Sequence, residues 1–452
     1  MAEMFSELDP DTMPRSPGLT YQDLLDQDSH EVPEVLRLQS PRDMGLNEFS
    51  VHRYTTREYH LKEIERLWKK VWQFACREED IPEAGDHYRY DIAGMSFLIV
   101  RQLDGAIKTY PNACLHRGRM LKEFDGQATE LRCPFHGFAW ELDGCLKDVP
   151  ARWDFPQITD EEFSLPEIPT ATWAGFVFIN PDQDCDPIDD FISDLAEQFE
   201  RWDLGALYKE AHVAKVMPCN WKIAQEAFCE AYHVNATHPQ ILRGLGDVNS
   251  QVDIWENCAR VVTPGITTSP LLADADISEE DMLRSMMDLP PGSPVPPIPE
   301  GMNPRAFMAS ISREGLRPAA GDRVDRYCDA EIVDSIDYTQ FPNFHPWGAF
   351  NKIVYRFRPN GDDHRTCIME CFQLMPFEGE RPPAAKIHWL KEDEKWSSAL
   401  GFLGKVFDQD AFNMPKVQAG LESTYKPGIT LSGYQEAKVR WLHHKLTEWV
   451  GD

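Results

Sequence analysis

Two short knuckles carry the strongest chemical signal in the chain: Cys114-Leu115-His116 and Cys133-Pro134-Phe135-His136, with sixteen residues between them. Two thiolates on one iron and two imidazoles on the other would make a two-iron cluster, a one-electron relay. The rival is a structural zinc site, since zinc also accepts two cysteines and two histidines. Zinc knuckles usually pair like with like, whereas here each knuckle holds one thiolate and one imidazole, so the pattern favours iron.

A second constellation lies in residues 220–239, where Glu230, His233 and His238 are the metal-binding types. At about 100° per residue, Glu230 and His233 fall near one helical face, while His233 and His238 would stand about 140° apart. The imidazoles converge only if a helix ends or bulges between them, and Asn235, Thr237 and Pro239 suit such a break. Two histidines plus one carboxylate, with positions left open, form the facial triad of non-haem Fe(II) that binds dioxygen. Alone, two histidines five apart read as ordinary helix residues. A redox cluster in the same chain reverses that reading.

The residues around these ligands carry a family resemblance. Asn112-Ala113-Cys114-Leu115-His116-Arg117-Gly118, Cys133-Pro134-Phe135-His136-Gly137-Phe138-Ala139-Trp140 and the turn Asp143-Gly144 resemble the Rieske domain of the non-haem iron oxygenases. Pro134 and Gly137 suit tight loops whose amides face the cluster and tune its potential. Phe138 stands where the family often has Trp. The stretch Asn220-Trp221-Lys222 through His238 is similar to the catalytic segment of that family. The resemblance implies that His233 and His238 are iron ligands and that Glu230 bridges to a neighbouring subunit. It also implies a third ligand, an Asp about eight residues before the Gln of Gln-x-Gly-Leu. Gln418-Ala419-Gly420-Leu421 therefore selects Asp410 over Asp408. Glu230 replaces the more familiar Asp, as in branches that oxidise quaternary amines, and Ala227 lies where those branches often have Asn.

The positioning elements follow. Residues 1–48 are acidic and broken by Pro10, Pro14, Pro17, Pro33 and Pro41, an arm expected to pack on a partner or stay mobile. Residues 49–180 are expected to form a Rieske [2Fe-2S] domain with a preceding helix, on which Leu61, Ile64, Leu67, Trp68, Val71 and Trp72 share helical spacing. Short strands such as Ser96–Val100 and Gly175–Ile179, with Asp-Gly turns at 104–105, 125–126 and 143–144, make that domain all-β. Residues 181–452 are assigned to a mononuclear-iron domain. The resemblance implies an α+β fold overall, with an antiparallel sheet curled around a long helix. Residues 289–304, rich in proline, predict a loop that could cover a substrate entrance.

Composition excludes other classes. A formal net charge of −30 and a pI near 4.8 argue against nucleic acid as a partner. No apolar run reaches membrane-spanning length, the acidic start is unlike a signal peptide, and eleven scattered cysteines suit a reducing compartment, so a cytoplasmic protein is expected. No nucleotide fingerprint or plant-type ferredoxin cysteine set is present, so electrons must come from another protein; the family resemblance implies a separate ferredoxin and/or flavin reductase supplied by NAD(P)H. Arg117, Arg119 and Lys122 beside the first knuckle form a candidate cationic docking patch for that donor.

The expected function is the catalytic α subunit of a Rieske oxygenase, inserting oxygen from O2 into an apolar, aromatic substrate at Fe(II). It would work as a homotrimer, with a β subunit as an option. Phe341, Phe344, Trp347 and Phe350 suggest apolar substrate contact, or equally core. The alternative within the class is a monooxygenase or oxidative demethylase of a quaternary ammonium or other non-aromatic substrate, held in an aromatic cage. A pure electron carrier would need only the Rieske half.

Overall fold

The computed structural model describes residues 5–349 and 353–451. Among them no helix is long and apolar enough to cross a membrane.

The arm packs on its own chain. Tyr21, Leu24, Leu25 and Leu36 are buried, and the buried Arg260 donates to the carbonyls of Val35 and Leu38 while gripping Asp253 at 2.6 Å. A buried guanidinium has five donors to satisfy, and proline-broken backbone supplies free acceptors. The helix that follows, Arg57–Glu63, continues as one wider π turn over Ile64–Trp68, with Val71 and Trp72 just beyond it. Leu67, Trp68 and Val71 are fully buried, and Trp68 meets Trp221 edge-on, with ring centroids 5.2 Å apart.

The β module consists of three small antiparallel sheets. One pairs Gln73–Arg77 with Phe176–Ile179 and Thr170–Trp173; one combines Ile107–Pro111, Met95–Arg101, Asp86–Ile92 and Gly126–Gln127; the third is Leu131–Arg132, Ala139–Trp140 and Leu146–Asp148. Asp104-Gly105 and Asp143-Gly144 form turns, with each glycine at φ +88°, where only glycine is unstrained. Asp125-Gly126 is different: Gly126 is a strand residue opposite His87, and Asp125 accepts the Arg89 amide at 2.8 Å.

The second half is an open eight-stranded sheet. Its order is Gln251–Ile254, Cys258–Thr263, Ser335–Gln340, Phe344–Pro346, Ile353–Asn360, Asp363–Met375, Tyr208–Met217 and His388–Trp389. All neighbours are antiparallel except the last pair, which is parallel. Helix Ser397–Ser423 packs against Tyr208–Met217 and against the short helix Trp221–Glu226, burying Phe407, Asp410, Met414 and Gln418 at helical spacing. The C-terminal helix Ala437–Val450 covers Gln251–Ile254 and Cys258–Thr263. The proline-rich stretch 289–304 lacks regular structure apart from the start of helix Pro304–Ala320, and Val295 and Ile298 pack on Ile266, Leu283 and Phe307. It does not line the substrate-sized cavity.

Candidate functional site

The two cysteine knuckles are near-copies in backbone. Cys114 N–H donates to Arg119 O and Gly118 N–H to Cys114 O, both at 2.8 Å; Cys133 N–H donates to Phe138 O at 2.8 Å and Gly137 N–H to Cys133 O at 3.1 Å. Gly118 and Gly137 close the loops at φ +74° and +83°, a backbone region that L side chains rarely adopt. This repeated turn buries both sulfurs and leaves the histidines at the tip: His116 is half-buried, His136 exposed, and their rings lie 4.7 Å apart. Burial raises the Cys114 thiol and the neighbouring Cys133 adds to this, while the His116 and Arg117 amides pull the other way. His116 stacks on Phe138 at 4.5 Å, so phenylalanine serves where tryptophan is usual. Its Nδ1 is buried without any hydrogen-bond partner. An orphaned nitrogen beside a second imidazole and two adjacent thiols is the donor set a [2Fe-2S] cluster requires.

The tip is also an exposed apolar surface, through Leu115 and Phe135. The expected three-cation patch narrows here. Arg119 is tied to Glu123, Lys122 is half-buried with its amine lowered by desolvation, and Arg117 lies over the Phe135 ring at 5.6 Å.

The iron-site candidates are assembled from two remote segments. Asn220 caps helix Trp221–Glu226 by accepting from the Lys222 amide at 3.1 Å. The chain then leaves helical geometry until one turn, Val234–Thr237, which His233 precedes and His238 ends at φ −125°. The break anticipated between the histidines is thus a single helical turn flanked by both. Glu230 does not share a continuous helix with His233; instead its carboxylate accepts from the His233 amide at 2.9 Å and contacts Nδ1 at 2.8 Å. From the long helix, Asp410 Oδ1 lies 2.9 Å from His238 Nε2 and 3.5 Å from His233 Nε2. His238 Nδ1 contacts Gln409 Oε1 at 2.8 Å, which also accepts from Gln240 at 2.8 Å. Gln409 is a partner the sequence reading missed; its place next to Asp410 was the only hint.

Each imidazole therefore has Nδ1 occupied by an orienting acceptor and Nε2 turned toward one carboxylate, the arrangement that fixes metal-binding histidines. One donor atom from each of His233, His238 and Asp410 lies within 4.8 Å of the others, a donor set that fits a divalent iron. Burial lowers the His233 imidazole, but Asp410 and Glu230 overcome this and push it up to about 10. Burial raises Asp410, yet the two histidines hold it below the usual carboxylate range. Asp408 points elsewhere: its carboxylate accepts from the Trp396 amide at 2.7 Å and the Ser397 hydroxyl at 2.6 Å.

A cavity of about 540 Å³ opens over these groups, walled by Phe228, Leu245, Val261, Trp347, Tyr355 and Phe407, with Met286, Phe402 and Met375 among its other lining residues. Of the aromatic residues expected to touch substrate, Trp347 lines it. Phe341 and Phe344 are core instead, Phe341 against Trp441 and Trp449 and Phe344 among Phe74, Phe176 and Phe178. Phe350 lies outside the described residues. Sequence reasoning missed Phe228 and Tyr355, whose rings pack 4.8 Å apart. A second cleft approaches from the outside, and Ala227, Glu230, His233 and Asp410 line both.

Comparison with known proteins agrees with this anatomy. Residues 196–452 match the family described as ring hydroxylating alpha subunit (catalytic domain), and residues 71–159 match the Rieske [2Fe-2S] domain. The chain belongs to the ring-hydroxylating alpha subunit family. It is 32% identical over 203 residues to the chlorobenzene dioxygenase subunit alpha of Cupriavidus sp. (strain PS12), covering 43% of this chain and 45% of that protein. It is 29% identical over 188 residues to the glycine betaine monooxygenase oxygenase subunit of Pseudomonas aeruginosa, covering 40% and 43%. The chain thus matches less than half the length of these curated relatives. Among solved structures, the apo form of the quaternary ammonium Rieske monooxygenase CntA superposes with TM-score 0.63 at 17% identity, over 90% of this chain and 96% of that one. Naphthalene 1,2-dioxygenase with indole bound gives 0.61 at 18% identity, over 91% and 93%. These likenesses establish the fold.

Proposed function

We propose that this chain is the terminal oxygenase component of a Rieske non-haem iron system. In this reading Cys114, His116, Cys133 and His136 hold the cluster, and His233, His238 and Asp410 hold Fe(II). One observation carries the reading: the two Nε2 atoms and the Asp410 carboxylate converge at the wall of an apolar cavity. When bound, the cluster supplies electrons singly and the iron supplies activation of dioxygen. The protein's own work is positional. Phe228, Tyr355 and Phe407 exclude water and bind an apolar substrate, while Glu230 and Gln409 keep Nε2 of each histidine pointed inward.

The outer cleft supports assembly as a homotrimer in which one subunit's knuckle tip meets the next subunit's Glu230. Glu230 borders that cleft, whose lining includes Lys416 and Val417, and the tip presents His136 beside exposed Phe135. A closed head-to-tail ring satisfies both surfaces at once. Reduction would come from NAD(P)H through a flavin reductase or ferredoxin, in the cytoplasm, where the cysteines outside the cluster, none of them in a disulfide, stay reduced. An aromatic substrate is favoured by the ring-lined wall; a quaternary ammonium is the second reading, supported by those same rings beside acidic lining groups.

The test is anaerobic reconstitution with iron, then turnover with a surrogate reductase and ¹⁸O₂. Labelled product and about three irons per chain are expected. An electron carrier would hold two irons and give no product.

A further inference from the structure

The charged groups lining the cavity all belong to one chemical kind. Apart from the histidines, they are Glu210, Glu230, Asp337 and Asp410; no Lys or Arg lines it among the described residues. Glu230 and Asp410 are engaged by the histidines, and Glu210 is exposed. Asp337 is different. It sits in strand Ser335–Gln340, and its side chain is only 10% exposed. Lys438, fully buried on the C-terminal helix, donates to Asp337 Oδ2 at 2.7 Å and to its backbone carbonyl at 3.2 Å. Oδ1 is buried with no partner.

Trp347 shares this patch. Its backbone bridges Asp337 across the sheet, its ring lines the same cavity, and its Nε1–H is likewise buried without an acceptor. A lone acceptor and a lone donor on adjacent strands are each costly, on the order of 1–3 kcal/mol, unless something completes them. A hydroxyl is the smallest group that does both, donating its proton to a carboxylate and accepting an N–H on oxygen. Both atoms are fully covered, so an occupant of the cavity reaches them only if the Asp337 carboxylate and the Trp347 ring turn toward it, a movement that the three protons of Lys438 can follow.

We infer that Asp337 and Trp347 are specificity-determining residues that select an apolar ring substrate bearing a hydroxyl group, and that the Asp337 carboxylate disfavours a substrate carboxylate in the hydroxyl's place. The inference rests on the proposal that this cavity is the substrate site, and it narrows that proposal to a substrate class.

The test uses three probes with one ring skeleton: indan-5-ol, indane and indane-5-carboxylate. Their binding to the iron-loaded, oxidised holoenzyme is measured by calorimetry without dioxygen, so the result does not depend on turnover. Wild type should bind indan-5-ol about tenfold more tightly than indane, the combined net worth of the two hydrogen bonds, and the carboxylate should show no binding. Asp337→Asn should cut the alcohol preference to about twofold and let the carboxylate bind, and Trp347→Phe should cut the preference about threefold. If Asp337→Asn fails to fold, shown by loss of the cooperative denaturant-unfolding transition and of the third iron per chain, Trp347→Phe carries the test. Equal affinity for alcohol and hydrocarbon in wild type overturns the inference, as does an unchanged preference in the folded variants or carboxylate binding as tight as that of the alcohol. The oxygenase reading is scored separately by ¹⁸O incorporation: donor preference without oxygenation sinks that reading alone, and oxygenation without donor preference sinks this inference alone.

Discussion

The two candidate metal sites are built on opposite principles. Each cluster knuckle is one turn of chain closed by its own backbone, with Gly118 and Gly137 four residues after the cysteine that opens each loop, in the left-handed region. The iron site instead joins residues more than 170 positions apart: His238 and Asp410 meet only because the long helix packs on the short one. The cluster tip is exposed for contact with partners, whereas His238 and Asp410 are 1% and 3% exposed. A relay must be reached from outside; a site that handles dioxygen is better kept dry. The contrast teaches that a local motif tolerates distant damage, while an assembled site depends on the packing between its two halves.

The contrast breaks most visibly if the sites are not independent. Removing His233, His238 or Asp410 as alanine should abolish oxygenation and lower iron from about three to about two per chain, with the Rieske absorption intact. Cys133→Ser should do the reverse and bleach the cluster. Absorption spectroscopy with iron analysis checks both, and any single variant that loses both centres refutes independence.

The packing half of the argument concerns Glu63 and Lys222, fully buried and 2.6 Å apart, which tie the helix before the β module to the helix preceding the histidines. Glu63→Gln leaves a buried ammonium unpaired and should cost about 3–5 kcal/mol in denaturant unfolding. Retention of the wild-type midpoint would show that the tie is unimportant.

Glu230 tests orientation. Glu230→Ala should retain both metals yet lower product formation about 10–100-fold, and Glu230→Gln should recover part of it. Rapid mixing of the fully reduced variant with oxygen and substrate follows cluster oxidation directly; wild-type kinetics would make Glu230 an ordinary acid.

A pH effect is expected at the sheet. Burial lowers His212 from the usual 6.5 to about 4, although Glu370 lies 3.2 Å away. The unfolded chain therefore takes up this proton first as pH falls. The stability contributed by neutral His212 is complete above about 6.5 and is lost progressively as pH drops toward about 4. Against His212→Gln, wild type should lose on the order of 2 kcal/mol more across that window. Parallel stability–pH curves would contradict this.

The smallest effect separates two neighbouring acids. Asp408→Ala should keep iron and cost about 1 kcal/mol, by freeing the Trp396 and Ser397 donors. Loss of iron from this variant, with iron kept in Asp410→Ala, would exchange their roles.

Much of this was legible in the sequence, for a definite reason. The knuckles, the hairpin glycines and the break between His233 and His238 are short-range facts, set by residue type and backbone freedom within a few positions. Asp410 came into view only through family resemblance, because nothing local distinguishes it from Asp408. Burial patterns misled where both faces of an element are covered: Phe341 and Phe344 have the same apolar signature as a substrate wall, but the sheet turns them into the core. The arm's packing on its own chain was not legible for a related reason, since its acceptors are used by Arg260, Gln251 and Ile254, more than 200 residues away. Sequence alone determined which atoms can bind metal and how each knuckle turns, because those depend on covalent neighbours. Tertiary packing decided which carboxylate reaches the histidines, which rings face the cavity and which buried acid is left with an oxygen unpaired, because those depend on how the long helix, the sheet and the C-terminal helix exclude water together.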